Sequence, residues 1–268
     1  MQTHEIDVAI GDTGLIPVYE RLWRRHDCNS FFRSPGHLQA IARLTNSHLR
    51  FAVATRCGHG QTMLPFAMRD GPLGPVINSL PFFGTYSAVV GHTDPLVTKE
   101  LADAVLAFGR ESGACSVTFI EDWRDRSLSC LRQARFVTVR TNQFIDFGKF
   151  EGSDPIDLYH QKTRNLVRKA IKSGVQVRRS TDPADLARLR QLHEANMRAL
   201  GGASKPPAFF IQLQGEMTAN AEVILYIASY DGTDCAYLLL LACGDTIEYY
   251  MPAVSKEHRS LQPLSLLI

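Results

Sequence analysis

Apolar positions along the 268-residue chain switch repeatedly between a period near two and a period near 3.6. In the first half, residues 5–10 predict a short strand and residues 15–25 a helix. Ser34-Pro35 has the form of a helix start, and the periodic run behind it reaches Leu44. Strands follow at 49–55 and 62–68, separated by Cys57-Gly58-His59-Gly60 and ended by Asp70-Gly71. The stretch GPLGPVINSLPFFGTYSAVVGHTDP holds one buried-type strand and an aromatic turn around Phe82, Phe83 and Tyr86. Asp94-Pro95 opens a helix in which Leu96, Leu101, Val105, Leu106 and Phe108 repeat with helical spacing up to Gly113. A strand over 115–120, a helix over 126–135 and a strand over 136–147 complete an αβ half of ordinary domain size.

Gly, Ser, Asp, Pro and charge cluster at 148–155, which predicts a boundary between domains 1–150 and 151–268. The second half opens on a basic helix in YHQKTRNLVRKAIKSGV, turns at Ser173-Gly174 and continues as the strand VQVRRS. Helices follow over 185–200, closed by Gly201-Gly202, and over 207–217. Strands over 222–230, 234–243 and 246–254 then form a meander with turns at Asp231-Gly232-Thr233 and Gly244-Asp245, and LQPLSLLI begins another helix. The fold class is α/β (α+β), with mixed sheets flanked by helices.

Composition leaves ample material for cores, with 45% hydrophobic residues against 21% charged. A net charge of +2 does not describe a general nucleic-acid binder, so an electrostatic partner must be held by a local patch and DNA is not expected. The N-terminal MQTHEIDVAI lacks the basic and apolar regions of a secretion signal, and no stretch has the length of a spanning helix; the expectation is a cytoplasmic protein without a transmembrane segment. The six cysteines (Cys28, Cys57, Cys115, Cys130, Cys235 and Cys243) have no metal-ligand spacing and read as reduced thiols, several of them in apolar runs. Nine histidines lack HxxxH or HExxH spacing, so no metal is expected, and neither Ser34 nor Ser87 stands in a GxSxG context.

The local patch is the basic helix. Seven Lys or Arg and no acid lie between His160 and Arg179, leaving 22 basic against 27 acidic residues elsewhere. On a helical wheel, Tyr159, Thr163, Leu166, Val167 and Ala170 form one side, and Gln161, Lys162, Arg164, Asn165, Arg168, Lys169 and Lys172 the other. Arg164, Arg168 and Lys172 repel one another at i, i+4 spacing, a cost of a few tenths of a kcal/mol per pair, roughly, that a phosphate ligand would offset. Lys162, Arg164, Asn165, Arg168 and Lys172 are therefore candidate substrate-binding residues: arginine offers a planar fork, lysine a point charge and asparagine a neutral donor. A solvated cationic face is the competing reading. Candidate phosphates are those of a nucleotide diphosphate carrier, a tRNA backbone or coenzyme A, and one compact helix fits a diphosphate better than a long duplex.

KTRNLVRKAIKSGV with the following strand and LHEANMRALGG resembles the second GNAT-like domain of the FemAB-like family. SFFRSPGHLQAIARL and PFFGTYSAVV resemble its first domain, and EYYMPAVSKEHRSLQPLSLLI resembles the strand, loop and helix start near its active cleft. The resemblance runs from about Phe31 to the end. It implies two tandem GNAT-like domains, the second without its last strands, around a cleft. It also implies transfer of an aminoacyl group from aminoacyl-tRNA to an amine on a peptidoglycan precursor; relatives acylate other amines and some use acyl-CoA. By resemblance Lys162, Arg164 and Arg168 lie near donor or acceptor phosphates, in a cavity shared with the meander strands.

No bound cofactor is expected, the donor being a co-substrate: aminoacyl-tRNA or acyl-CoA. A CoA-dependent GNAT normally follows its fourth strand with Q/RxxGxG/A, whose backbone cradles pyrophosphate; SKEHRSLQPLSLL has no glycine, which favours a donor other than CoA. On TIEYYMPAV, strict alternation sends Thr246, Glu248 and Tyr250 one way and Ile247, Tyr249 and Met251 the other. Glu248 is then a candidate base for the acceptor amine and Tyr250 a donor to the leaving oxygen, against the plainer readings of a surface carboxylate and a packing aromatic. Lys256, His258 and Arg259 in the next loop bind phosphate or are solvated. The expected acceptor is an amine-bearing small molecule, nucleotide-linked in one reading, and three functions stay open: a FemAB-like amide-forming acyltransferase, an acyl-CoA-dependent N-acyltransferase, and a non-catalytic module that binds a phosphorylated ligand.

Overall fold

The structure, a computed structural model, describes residues 6–25, 30–56, 60–79, 84, 89–91, 94–121, 134–149, 154–219 and 223–268. These fall into two compact units, Met1–Asn142 and Gln143–Ile268.

The first unit is a sheet covered on both faces. Its elements are β1 (Ile6–Gly11), α1 (Ile16–Arg25), α2 (Pro35–Leu44), β2 (His48–Arg56), β3 (Gly60–Arg69), β4 (Val76–Asn78), β5 (Val90–Gly91), α3 (Pro95–Glu111) and β6 (Ser116–Thr118). The strands run in the order β1-β2-β3-β4-β6, with β5 also on β3; β4 and β6 are parallel and the remaining pairs antiparallel. Alternation along β2 divides the core in two. Ala52 and Ala54 pack with Val97, Leu101 and Val105 of α3, whereas Leu49, Phe51 and Val53 pack with Tyr19 of α1 and Leu38 of α2. Both long helices start where the sequence signals it. Ser34 Oγ accepts from His37 N at 3.3 Å and Asp94 Oδ1 from Leu96 N at 2.8 Å, each just before a proline whose missing N–H costs nothing there. Gly109 is needed for packing: a Cβ there would lie 2.7 Å from Val117 Cγ2, so α3 approaches β6 only as glycine allows.

The second unit holds α4 (Gln161–Lys172), β7 (Gln176–Ser180), α5 (Pro183–Ala199), α6 (Pro207–Ala219), β8 (Val223–Tyr230), β9 (Thr233–Cys243), β10 (Thr246–Val254) and α7 (Pro263–Leu267). Its antiparallel sheet has the order β10-β9-β8-β7. The β8–β9 turn carries positive φ at both Asp231 and Gly232, the hairpin geometry that Asp-Gly favours. Residues opposite one another on a ladder share a face, which fixes what covers each side. Ala228, Ala236 and Leu238 pack with Ala170 and Val175 around α4 and with Leu267 of α7. The opposite face carries Leu225, Ile227, Leu239 and Leu241, and against it lie α5, with buried Leu186 and Leu189, and α6, with buried Phe209, Phe210 and Leu213.

One sequence expectation changes. Residues 136–146 form no strand: Phe136, Val137 and Val139 are exposed, and a 3-10 turn, Phe147–Lys149, follows. Their β-type pattern finds no neighbouring strand among the described residues, and β propensity has force only on a pleated surface that packs against something. The helix expected over 126–135 falls, apart from its last two residues, outside the described residues, as do Phe82, Phe83, Tyr86, Ser87, Cys28, Cys57 and Cys130. Of the other cysteines, none is in a disulfide; Cys235 and Cys243 are buried and Cys115 is exposed.

Candidate active site

β10 does not alternate strictly. Its register against β9 steps from Tyr249↔Leu240 to Met251↔Leu239, so Tyr250 is the extra residue of a β-bulge. Glu248, opposite Leu241, and Met251, opposite Leu239, therefore look toward α5 and α6. Tyr250 joins them, its ring 6.2 Å from that of Phe209 on α6. Met251 thus shares a face with Tyr250, not with Tyr249 as alternation alone predicts. Tyr249, opposite Leu240, is on the α7 side and half exposed.

Around Tyr250 the sequence reading missed a cluster. The connection between α5 and α6, GGASKPP, is pinned at both ends: Gly202 N donates to Met197 O at 2.9 Å, and Phe209 N to Pro206 O at 3.0 Å. Lys205, confined to extended backbone by the proline behind it, carries its Nζ 5.0 Å from the Tyr250 ring centre and 6.0 Å from that of Phe209. His193 of α5 stands 6.3 Å ring-to-ring from Phe210, which meets Phe209 edge-on at 5.8 Å. Desolvation governs the ionisation of all three polar groups. Burial drives the Tyr250 hydroxyl far above the usual tyrosine range and lowers the Lys205 ammonium; burial, then the Lys205 charge, lowers His193. At neutral pH the tyrosine is an O–H donor and the imidazole is uncharged. The one legible signal was the lysine set before two prolines and two phenylalanines.

An ion network locks α5 to β7 on the same face. Asp185, almost wholly buried, accepts from Arg178 at 2.8 Å, Ser180 at 2.6 Å and Arg188 at 2.5 Å, and Arg178 also reaches Asp234 at 2.9 Å. The Arg178 hydrogen bond leads the causes that hold the Asp185 carboxyl at about 2, and burial followed by the Asp234 and Asp185 charges pushes Tyr237 up to about 12.

The basic residues of α4 lie elsewhere. Val167 and Ala170 bury its apolar side as the wheel requires, and Lys162, Asn165, Arg168 and Lys172 are exposed. Arg164 is held in place, its Nη1 3.6 Å from Asp157 Oδ1 and its Nε buried without a partner. Arg168 Nη1 donates to Asn165 Oδ1 at 3.5 Å. Because α4 covers the sheet face opposite to Glu248 and Tyr250, these two groups of candidate residues lie on different faces of the sheet in this unit. Parity along the meander sets the faces, and a helical wheel cannot report which face of a sheet its helix will cover.

After β10 the loop turns inward. His258 Nδ1 is 2.7 Å from Ser255 Oγ, Arg259 Nη2 donates to Asn196 Oδ1 at 3.1 Å, and Lys256 is exposed. Gln262 adopts φ 60°, ψ 38°, the backbone conformation a glycine would take, and both its N and Nε2 donate to Arg259 O. Among the described residues no group of three or more His, Cys, Asp or Glu could hold a metal ion, and no helix is long and apolar enough to cross a membrane.

Two layered units, one with a bulged strand facing two helices, define a GNAT-like fold. Residues 159–268 match the family described as acetyltransferase (GNAT) domain. FemX shares the fold with a TM-score of 0.68 at 12% identity, over 97% of this chain and 83% of its own. A conserved protein of unknown function from Bacteroides thetaiotaomicron VPI-5482 follows at 0.54 and 10%, over 98% and 84%. The DUF2156 C-terminal domain of an Agrobacterium fabrum protein named for lysylphosphatidylglycerol synthetase gives 0.52 and 12%, over 96% and 73%. No curated protein matches in sequence. The chain thus shares the fold of FemX, and its residues 159–268 match an acetyltransferase (GNAT) domain.

Proposed function

We propose that the α5/α6 face of the second unit forms an amide, passing an activated aminoacyl or acyl group to an amine acceptor in the manner of the FemAB-like enzymes. The observation that carries this is the bulge residue Tyr250, kept protonated by burial and turned to the same face as Glu248. The Glu248 carboxylate accepts a proton from the acceptor amine, whose nitrogen attacks the carbonyl carbon. As the tetrahedral intermediate collapses, the carbon–oxygen bond to the leaving group breaks and the Tyr250 O–H protonates the departing oxygen; the proton held by Glu248 then restores the tyrosine. The fixed Lys205 charge supplies positive potential next to the Tyr250 ring. Lys162, Arg164, Asn165, Arg168 and Lys172 hold phosphates of the donor or of a nucleotide-linked acceptor, away from the reacting carbonyl; the buried, unpartnered Arg164 Nε supports that role.

Gln262 favours a donor other than coenzyme A. Its backbone has the left-handed form, but its backbone and side-chain amides both donate to Arg259 O, so a pyrophosphate would have to compete for those donors. The test offers the full chain an amine library with aminoacyl-tRNA and, separately, with acetyl-CoA. Amide products by mass spectrometry with the first donor and no thiol release with the second are expected. Thiol release matched by acetylated amine would transfer the site to the acyl-CoA-dependent reading, and no product with either donor would leave the phosphate-binding module.

A further inference from the structure

α4 and β7 put positive charge on the sheet face that Glu248 and Tyr250 do not use, and that charge points outward. We propose that this face docks the chain on an anionic lipid surface, holding headgroup phosphates with Arg168, Lys169, Lys172 and Arg179; the inference goes beyond the transfer reading and stands without it. Val167 and Ala170 bury the inner side of α4, which leaves Lys162, Asn165, Arg168, Lys169 and Lys172 exposed along a helix of about 18 Å. The edge strand β7 adds to the same face. Val177 lies opposite Ala228 and Arg179 opposite Tyr226, both packed in the core beneath α4, whereas Arg178 turns the other way to Asp185.

Charge and polarity together select the partner. Among the described residues no acid pairs with Lys162, Arg168, Lys169, Lys172 or Arg179. The neighbouring acids do not cancel this charge: Asp157 takes up Arg164 at 3.6 Å, Asp154 and Asp182 cap helical turns, and Asp231 is the one charged residue lining the cavity beside Ser173 and Gly174. α7, which packs beside α4, has no charged side chain. The cations fan out over the solvent side of a helix, so a flat array of phosphates meets more of them than one compact diphosphate does. Beside them stand apolar side chains for which a phosphate has no use: Ile171, one turn from Arg168, is 56% exposed and Val177 is 44% exposed. A nucleic acid offers the same phosphates, yet α4 and β7 hold no aromatic ring on which a base could stack. Cations next to exposed aliphatic groups match a bilayer interface, where headgroup oxygens meet the former and acyl chains the latter.

Co-sedimentation of the full chain with vesicles tests this, comparing phosphatidylcholine alone with phosphatidylcholine carrying about one third phosphatidylglycerol. The anionic vesicles are expected to bind about 10-fold tighter or more, and less so as salt rises. Lys169→Glu combined with Arg179→Glu should lower that binding by at least about 25-fold, from about 5-fold for each cation near the surface. Ile171→Ser, an exposed position, should lower it by about 5-fold. No sedimentation with the anionic vesicles, or equal binding to both kinds, would overturn the proposal on the wild-type chain, whatever the variants do. Release of the bound chain by tRNA at equal phosphate concentration, with Ile171→Ser binding that RNA as well as wild type does, would assign the face to nucleic acid. Complete release by a nucleoside diphosphate would assign it to a soluble phosphate. Either result overturns the lipid source.

Discussion

Replacing Asp185 with Asn removes the charge that ties α5 to β7 while keeping its shape. The carboxylate gathers three donors within 2.8 Å and is almost fully buried, and its pKa of about 2 against an ordinary 3.8 measures how much the folded state prefers the ionised form. That difference corresponds to about 2 kcal/mol of stability at neutral pH. With a urea slope of about 2 kcal/mol/M, the unfolding midpoint of the second unit falls by about 1 M. The assay is hydrogen exchange of residues 176–180 across a urea series. Because the folded carboxyl titrates below the unfolded one, the contribution is complete above about pH 4 and disappears as pH falls through about 2. The gap between wild type and Asp185→Asn should therefore close over that window. A midpoint unmoved at pH 7, or a gap that persists undiminished in acid, would refute the reasoning.

The remaining predictions concern other parts of the chain. His37 is buried between the rings of Phe31 and Phe32, its ring nitrogens have no partner and burial lowers its pKa to about 3, so the first unit should lose about 2 kcal/mol as pH falls from 6.5 to 5, because only the unfolded chain takes up the proton. His37→Leu should abolish that slope, read by tryptophan fluorescence, since both tryptophans belong to this unit. Gln262→Val should cost about 1–2 kcal/mol through its left-handed backbone and Gln262→Gly much less; equal losses would show that the side-chain bond dominates. Arg164→Ala and Arg168→Ala should each weaken binding of a nucleoside diphosphate, less so at high salt, and indifference to both changes would remove the phosphate role from α4.

Much of the architecture is legible in the sequence because periodicity and punctuation agree. Asp94-Pro95 caps its helix as it reads and Asp231-Gly232 makes the hairpin, whereas α5 starts at Pro183, capped by Asp182, two residues ahead of the expected 185. What fails to show is anything that depends on partners far along the chain. The bulge at Tyr250 is one surplus residue in a strand that looks regular, and it alone decides that Met251 faces α5. The segment 136–146 has strand composition but joins no strand among the described residues, and Lys205 reads as an ordinary loop lysine until α6 brings Phe209 beneath it. The face covered by α4 is set by the meander, so the separation of its cations from Glu248 could not be read from the helix itself.

The central claim is that Glu248 and Tyr250 act on a reacting carbonyl from the α5/α6 face, and single-turnover acyl transfer by Tyr250→Phe tests it most directly. The ring and its packing on Phe209 survive this change and only the proton donor is lost. The account predicts a transfer rate lower by about 10²- to 10³-fold with acceptor affinity retained. A rate within a few-fold of wild type would contradict it and return Tyr250 to the core.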